Sequence, residues 1–286
     1  MELELTGTKI PARIRQMTRA EADIAIGWAG DEGWNPGLHD ADVFYQTDPQ
    51  GFFAIDADNH MVGCVSMVRY SEDFMFGGLV IVHPDYRNKG IGKAMLDVAL
   101  TFTGGSNCAI DGVFAMQPFY KGLGFKFAYR NIRFEGIGGG TIDTSLIPLR
   151  EVPFPRILAY DSMFFPSVRE GFLKHFLYQP DCKGYASIDN GSLSGYGFIR
   201  KCLNGYKIGP LFAGSTGTAE KIYSALSSFA EGFPVFLDVP EPNAAGIALA
   251  MAHEMKEVFG TARMYTREIP KLPIGQIFGV TSFELG

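Results

Sequence analysis

The stretch from Leu79 to Lys93 constrains this chain more than any other. It reads Leu79-Val-Ile-Val-His-Pro-Asp-Tyr-Arg-Asn-Lys-Gly-Ile-Gly-Lys93. Four apolar residues stop at His83 and Pro84, and a loop with arginine, lysine and two glycines follows. Ile91, Met95, Ala99 and Phe102 then recur at intervals of three or four, with Leu96 and Leu100 beside them. That spacing predicts an amphipathic helix beginning near Gly92. A buried strand feeding such a helix returns to a strand that runs parallel to the first. Cys108 to Phe114 is placed to be that neighbour, and an α/β fold with a mixed sheet follows.

The elements on either side fit this frame. Ile10 to Arg15 reads as an extended start. Thr18-Arg-Ala-Glu21 has the form of a capping box and predicts a helix through Trp28, broken by the turn residues Gly33 to Gly37. A hairpin is expected from Gly51 to Tyr70, turning at Asp58-Asn59-His60, and a strand from Phe74 to Val82. Pro118 to Gly124 predicts a short helix and Phe125 to Phe134 a closing strand.

The second half repeats this order. A helix is expected over 166–177, a hairpin over 184–207, a strand over 208–212 and a helix over 218–230. A strand over 235–239, a helix over 244–258 and a last strand near 277–285 complete it. Gly136 to Gly140 and the proline-bearing stretch Pro148 to Pro155 mark the boundary. The expected organisation is therefore residues 1–135, a linker at 136–155, and residues 156–286. Length agrees, since 286 residues are about two ordinary domains.

Composition excludes whole classes. Hydrophobic residues at 47% and charged residues at 20% describe a globular chain with an ample core. A net charge of -6 argues against a general nucleic-acid binder. The apolar runs are too short to span a bilayer, and the acidic start Met1-Glu-Leu-Glu-Leu lacks the basic region of a signal peptide. Cys64, Cys108, Cys182 and Cys202 stand far apart, which reads as free thiols in a reducing cytoplasm. Scattered cysteines and histidines give no metal site.

The chemistry of the 79–93 stretch follows from its backbone. Glycines at 90 and 92 allow a tight turn and close approach of a ligand. The free N–H groups of the helix's first turn converge at the positive end of its dipole, and Arg87, Lys89 and Lys93 add charge. This is a diphosphate cradle, although the same glycines would also serve a bare strand-to-helix turn with solvated cations. Neither a Walker motif nor a dinucleotide fingerprint is present.

At this point the residues resemble a family. Arg87-Asn-Lys-Gly-Ile-Gly92 matches the first signature of the GCN5-related N-acetyltransferases: glutamine or arginine, two residues, glycine, one residue, then glycine or alanine. Phe119-Tyr-Lys-Gly-Leu-Gly-Phe125 is similar to that family's second signature. The resemblance covers about residues 8 to 135. The second half looks like the divergent domain of a two-domain branch, with Trp34-Asn-Pro-Gly37, Ile208-Gly-Pro-Leu211 and Arg263-Met-Tyr265 fitting that branch.

The resemblance implies a tandem acetyltransferase fold, acetyl-CoA as co-substrate and no metal. It implies a pyrophosphate on the amides of Asn88, Lys89, Gly90, Ile91, Gly92 and Lys93, with Arg87 beside them. It also implies that Val80, Ile81 and Val82 pair their backbone with the pantetheine arm, which requires a strand splayed from its neighbour. Tyr120 matches the family's general acid; the alternative is a core aromatic with a satisfied hydroxyl. No base is evident. Strand 79–82 has no carboxylate, His83 follows its end, and position 113 is Val where relatives carry asparagine. Asp111 is either a paired structural group or one that faces substrate. Trp34, Asn35 and Asp40 are expected at the acceptor site, with Asp161, Asp238 and Tyr265 closing it from the second half. After Phe212 the chain reads Ala213-Gly-Ser-Thr-Gly-Thr218 without a cation, so the second half is expected to bind no cofactor. The expected reaction is acetyl transfer to a primary amine, small or peptide, by direct attack in a ternary complex. A non-catalytic acyl-CoA sensor is the alternative.

Overall fold

The computed structural model describes residues 2–3 and 11–286. Ile10, the expected start of the first long strand, lies outside the described residues. In the first half β1 (Glu2–Leu3), β2 (Ala12–Gln16), β3 (Phe52–Ala57), β4 (His60–Arg69) and β5 (Phe74–Val82) form an antiparallel run. Helices α1 (Arg19–Asp31) and α2 (Asp40–Thr47) fall between β2 and β3. Then come α3 (Ile91–Thr101), β6 (Asn107–Val113), α4 (Gln117–Gly122) and β7 (Lys126–Ile137). The second half holds β8 (Ile147–Pro148), α5 (Phe154–Asp161), α6 (Glu170–Phe176), β9 (Cys182–Asp189), β10 (Ser192–Lys201) and β11 (Tyr206–Ala213). It ends with α7 (Thr216–Ser228), β12 (Pro234–Pro240), α8 (Ala244–Ala252), β13 (Lys256–Tyr265) and β14 (Ile277–Gly279).

Local sequence explains most of these elements. Thr18 and Glu21 exchange both capping-box bonds at the start of α1. On α3, Ile91, Ala94, Met95, Leu96 and Ala99 are buried and share a core with Met67, Met75 and Ile110. In the second half Ile222 and Leu226 of α7 do the same against Ile199, Leu211 and Leu237.

Among the described residues all the strands belong to one sheet. Its order is β1-β2-β3-β4-β5-β6-β13-β7-β12-β11-β10-β9-β8, with β14 beside β11. The halves exchange strands at the centre: β13 of the second half lies between β6 and β7 of the first. Strand β7 in turn pairs with β12 along Pro234 to Pro240. Mixed pairing is as expected, since β5–β6 and β11–β12 are parallel and their neighbours antiparallel.

Several boundaries differ from expectation. Gly136 and Ile137, assigned to the linker, extend β7 and pair with Val235 and Pro234. Phe154–Asp161, in part assigned to the linker, is a helix whose proline sits in its first turn, where no N–H is required. The helix expected over 166–177 begins at Glu170. The one expected over 244–258 ends at Ala252, because the chain turns at Glu254 (φ 55°) and Lys256 opens β13. Helix α2 was not expected. The last strand is only Ile277–Gly279, although the residues to Leu285 are buried.

Candidate active site

Strands β5 and β6 are paired only at Phe74 to Gly77, against Asn107 to Ile110. Beyond Ile110 they part. Leu79 takes φ 48° and the β4–β5 register shifts beside it, so β5 bulges away from β6 at that point. A cleft of about 490 Å³ opens there, walled by Gly78 to Val82 on one side and Ile110 to Val113 on the other. No strand among the described residues pairs the open side of Val80 to Val82. Backbone polar groups on such an edge need partners.

The mouth of the cleft is the start of α3. Gly90 adopts φ 80° and caps the helix without a side-chain bond, and the first turn carries no acidic residue. Asn88 stands at φ 59°, so the loop bends twice before the helix. A Cβ on Gly92 would meet only Val82 Cγ2 at 3.7 Å, so the space in front of the helix is open. Arg87, Asn88, Gly90, Gly92 and Lys93 line the cleft. Lys89 does not; its Nζ donates to the Asp85 carbonyl at 2.7 Å and sits 4.8 Å over the Tyr86 ring. Ile91 is buried in the core and contributes only backbone to the turn. The other two cations also have internal partners: Arg87 donates to the Val82 carbonyl at 2.8 Å and to Glu32, and Lys93 pairs with Asp97 at 2.5 Å. The fixed attraction for an anion is therefore the helix end and its free N–H groups.

Tyr120 lines the cleft from α4 and is 6% exposed. Its ring lies against Gly112, where a Cβ would fall 2.6 Å from Cε2. Burial pushes the phenol up to about 12, so it holds its proton at neutral pH. A phenol that keeps its proton can donate a hydrogen bond.

The other expected residues divide. Trp34 lines the cleft, and its carbonyl accepts from Arg133 Nη1 at 2.7 Å. Asp111 lines it too, but Arg263 grips both oxygens at 2.9 and 2.6 Å and Asn131 donates at 2.8 Å. Burial raises its pKa and Arg263 opposes the shift. A carboxylate so held is a clamp between β6 and β13, the paired group of the two readings the sequence left open, and it stands on the cleft wall. Asp40 does not line the cleft: it forms a buried ion pair with Arg200 at 3.0 Å and accepts from Gly37 N–H. Asp238 pairs with Arg133 at 2.6 and 2.8 Å, both side chains being almost fully buried. Asn35 exchanges two hydrogen bonds with the Asn204 backbone. Tyr265 packs among Phe74, Phe76 and Phe165. Asp161 is bound by Arg169 at 2.7 and 2.8 Å. His83 meets Trp28 and Tyr86 at tilted and edge-on angles and is not among the residues lining the cleft.

Among the wall residues that sequence reasoning missed are four from the second half: Phe259, Thr261, Phe283 and Glu284. They come from β13 and the segment after β14, and no local pattern marks them. Only the insertion of β13 beside β6 brings Thr261 opposite Val113. Among the described residues no group of His, Cys, Asp and Glu is arranged to hold a metal, and no helix is long and apolar enough to cross a membrane.

Comparison with known proteins agrees with this architecture. Two models of the acetyltransferase (GNAT) domain match the chain, one over residues 48–127 and another over 157–279. The chain is 26% identical over 289 residues to a holothin acyltransferase from Pseudoalteromonas sp. (strain SANK 73390), covering 100% of this chain and 97% of that protein. It is 27% identical over 224 residues to the uncharacterized N-acetyltransferase YitH of Bacillus subtilis (strain 168), covering 74% of this chain and 76% of that one. In fold it is similar to a provisionally assigned acetyltransferase from Pyrococcus horikoshii, with TM-score 0.83, 19% identity and 96% coverage of both chains. It also resembles a tandem GNAT protein of the clavulanic acid pathway, with TM-score 0.62, 12% identity and 91% and 99% coverage. The chain is an acyltransferase of the GCN5-related N-acetyltransferase (GNAT) superfamily, built from two such domains.

Proposed function

We propose that the cleft transfers an acetyl group from acetyl-CoA to a primary amine, by direct attack in a ternary complex, in the cytoplasm. The observation that carries this reading is the parting of β5 from β6, which ends at the uncapped start of α3. In this reading residues 1–135 hold the co-substrate, 136–155 connect, and 156–286 shape the acceptor side. Asn88 to Lys93 hold the pyrophosphate on their backbone N–H groups. Val80 to Val82 complete a ladder with the amides of the pantetheine arm, as a strand would. That pairing fixes the thioester carbonyl, and a β5 N–H near Val82 stabilises negative charge on its oxygen.

Holding amine and thioester together supplies much of the rate. Tyr120 then hydrogen-bonds the departing sulfur. A phenol near 12 transfers its proton completely only against the gradient toward a thiol, so its main work is to stabilise the thiolate as the C–S bond breaks. Thiol release from acetyl-CoA with a panel of amines tests the reading. Tyr120→Phe is expected to lower turnover about 10²-fold with acetyl-CoA affinity unchanged. Undiminished turnover in that variant contradicts the role.

A further inference from the structure

Glu284 is 2% exposed and lies on the wall of the cleft. Neither carboxylate oxygen has a hydrogen-bond partner in the protein. Its backbone packs on the strand at the bulge, since a Cβ on Gly78 would fall 2.1 Å from the Glu284 carbonyl oxygen. It thus stands one residue from Leu79, where β5 turns away from β6. A buried carboxylate left without partners is costly, and few folds keep one without use.

The surrounding charges single it out further. Three buried cations, Arg133 on β7, Arg200 on β10 and Lys207 on β11, interact with it through charge alone. Arg133 is already held by Asp238 and Arg200 by Asp40. Lys207 has one long contact, 3.5 Å from the Trp34 carbonyl, and none of the three hydrogen-bonds to Glu284. A second buried polar atom on the same wall, Thr261 Oγ1, is also without a partner. Around them the wall is apolar: Trp34, Phe259 and Phe283.

We propose that Glu284 receives the amino group of the acceptor and takes the proton it loses, and that the acceptor is a primary amine on an apolar body. The inference rests on the acyl-transfer reading above and adds its acceptor side. The amine arrives as an ammonium ion, and Glu284 removes one proton. The freed lone pair forms the N–C bond at the thioester carbonyl while the C–S bond breaks. The second nitrogen proton reaches the sulfur in concert through the Tyr120 hydroxyl, which gives up its own proton only as it receives that one, so that amide and free thiol form, and Glu284 returns its proton to water. Glu284 is then the base that the 79–82 strand lacks.

Benzylamine is the probe, with a lysine-containing peptide for comparison. Glu284→Gln keeps the shape and removes the charge. It is expected to lower kcat/KM for benzylamine about 10²-fold with acetyl-CoA affinity held, and Glu284→Asp to recover part of the loss. Wild-type kcat/KM in Glu284→Gln, or a loss of acetyl-CoA affinity in step with activity, overturns the role. A second measurement uses the unaltered protein with CoA bound: benzylamine is expected to bind at least about tenfold more tightly than benzyl alcohol. Equal binding overturns the ammonium site. Turnover with the peptide alone overturns the substrate class while leaving acetyl transfer intact. Thiol release with no amine at all overturns the transfer reading itself, and the inference with it.

Discussion

The two halves use the same backbone device and finish it differently. In the first, β5 leaves β6 after Gly77; in the second, β11 leaves β12 after Ile208. The first gap is the cleft. The second is filled by the chain itself: β14 pairs with β11 at Leu211 and Phe212, and Val280 N–H donates to the Asp238 carbonyl at 2.8 Å. Close approach recurs in both. A Cβ on Gly209 would fall 2.2 Å from the Val280 carbonyl oxygen, as one on Gly78 would from that of Glu284. The helix starts differ in the same sense. Gly90 leaves the end of α3 open, whereas the Ser215 side chain accepts from Thr218 N–H and closes the end of α7. A parted pair of strands is therefore an unfinished ladder; in the reading proposed above, a ligand completes the first and the chain itself completes the second.

The largest effect that would break this comparison is expected at Gly90. Gly90→Glu forces a side chain into a left-handed position and sets a negative charge where an anion is to bind. Acetyl-CoA affinity should fall more than about 10²-fold by calorimetry. Unchanged affinity would remove the cradle from the account.

Next in size is the seam between the halves. Asp238→Asn leaves Arg133 buried and uncompensated, at a cost of about 3–5 kcal/mol in chemical unfolding. Asp111→Asn should cost a similar amount through Arg263. If either loss stayed below about 1 kcal/mol, the ion pair would not be holding the exchanged strands. Ser215→Ala sharpens the contrast on the other side. It should cost about 1 kcal/mol and, on the reading that the second half holds no co-substrate, leave acetyl-CoA binding unchanged.

The smallest effect is alkaline. Burial raises Tyr120, Tyr160 and Tyr223 to about 12 in the folded chain. An unfolded tyrosine ionises near 10, so the folded state is penalised only above that point. The stability these groups contribute is full below about pH 10 and lost as pH climbs toward 12. Tyrosinate absorbance should therefore rise together with loss of helical ellipticity. Full ionisation near pH 10 with the fold intact would contradict the burial.

Much of the fold was legible because its signals are local. The bounds of β5 and the caps of α1 and α3 depend on neighbours within a few residues. The strand, glycine-bearing loop and helix of residues 79–101 were legible for the same reason, since they are contiguous. What could not be read were partners. Asp40, Asp111 and Asp238 looked like site carboxylates, yet each answers an arginine 160, 152 and 105 residues away. For Asp111 and Asp238 the partner is set by the pairing of strands from different halves, and for Asp40 by the meeting of α2 with β10; neither leaves a trace in spacing. Glu284 is the converse case. A lone glutamate in Ser282-Phe-Glu-Leu-Gly286 carries no pattern, and it stands out only because the structure buries it on the cleft without a partner.

The central claim is that one gap is open to a ligand and the other is closed by the chain. Calorimetric titration of the protein with acetyl-CoA, beside free CoA, tests it most directly. The account predicts saturable binding at about one site per chain. Two sites would contradict the closed second gap, and no binding would contradict the open first one.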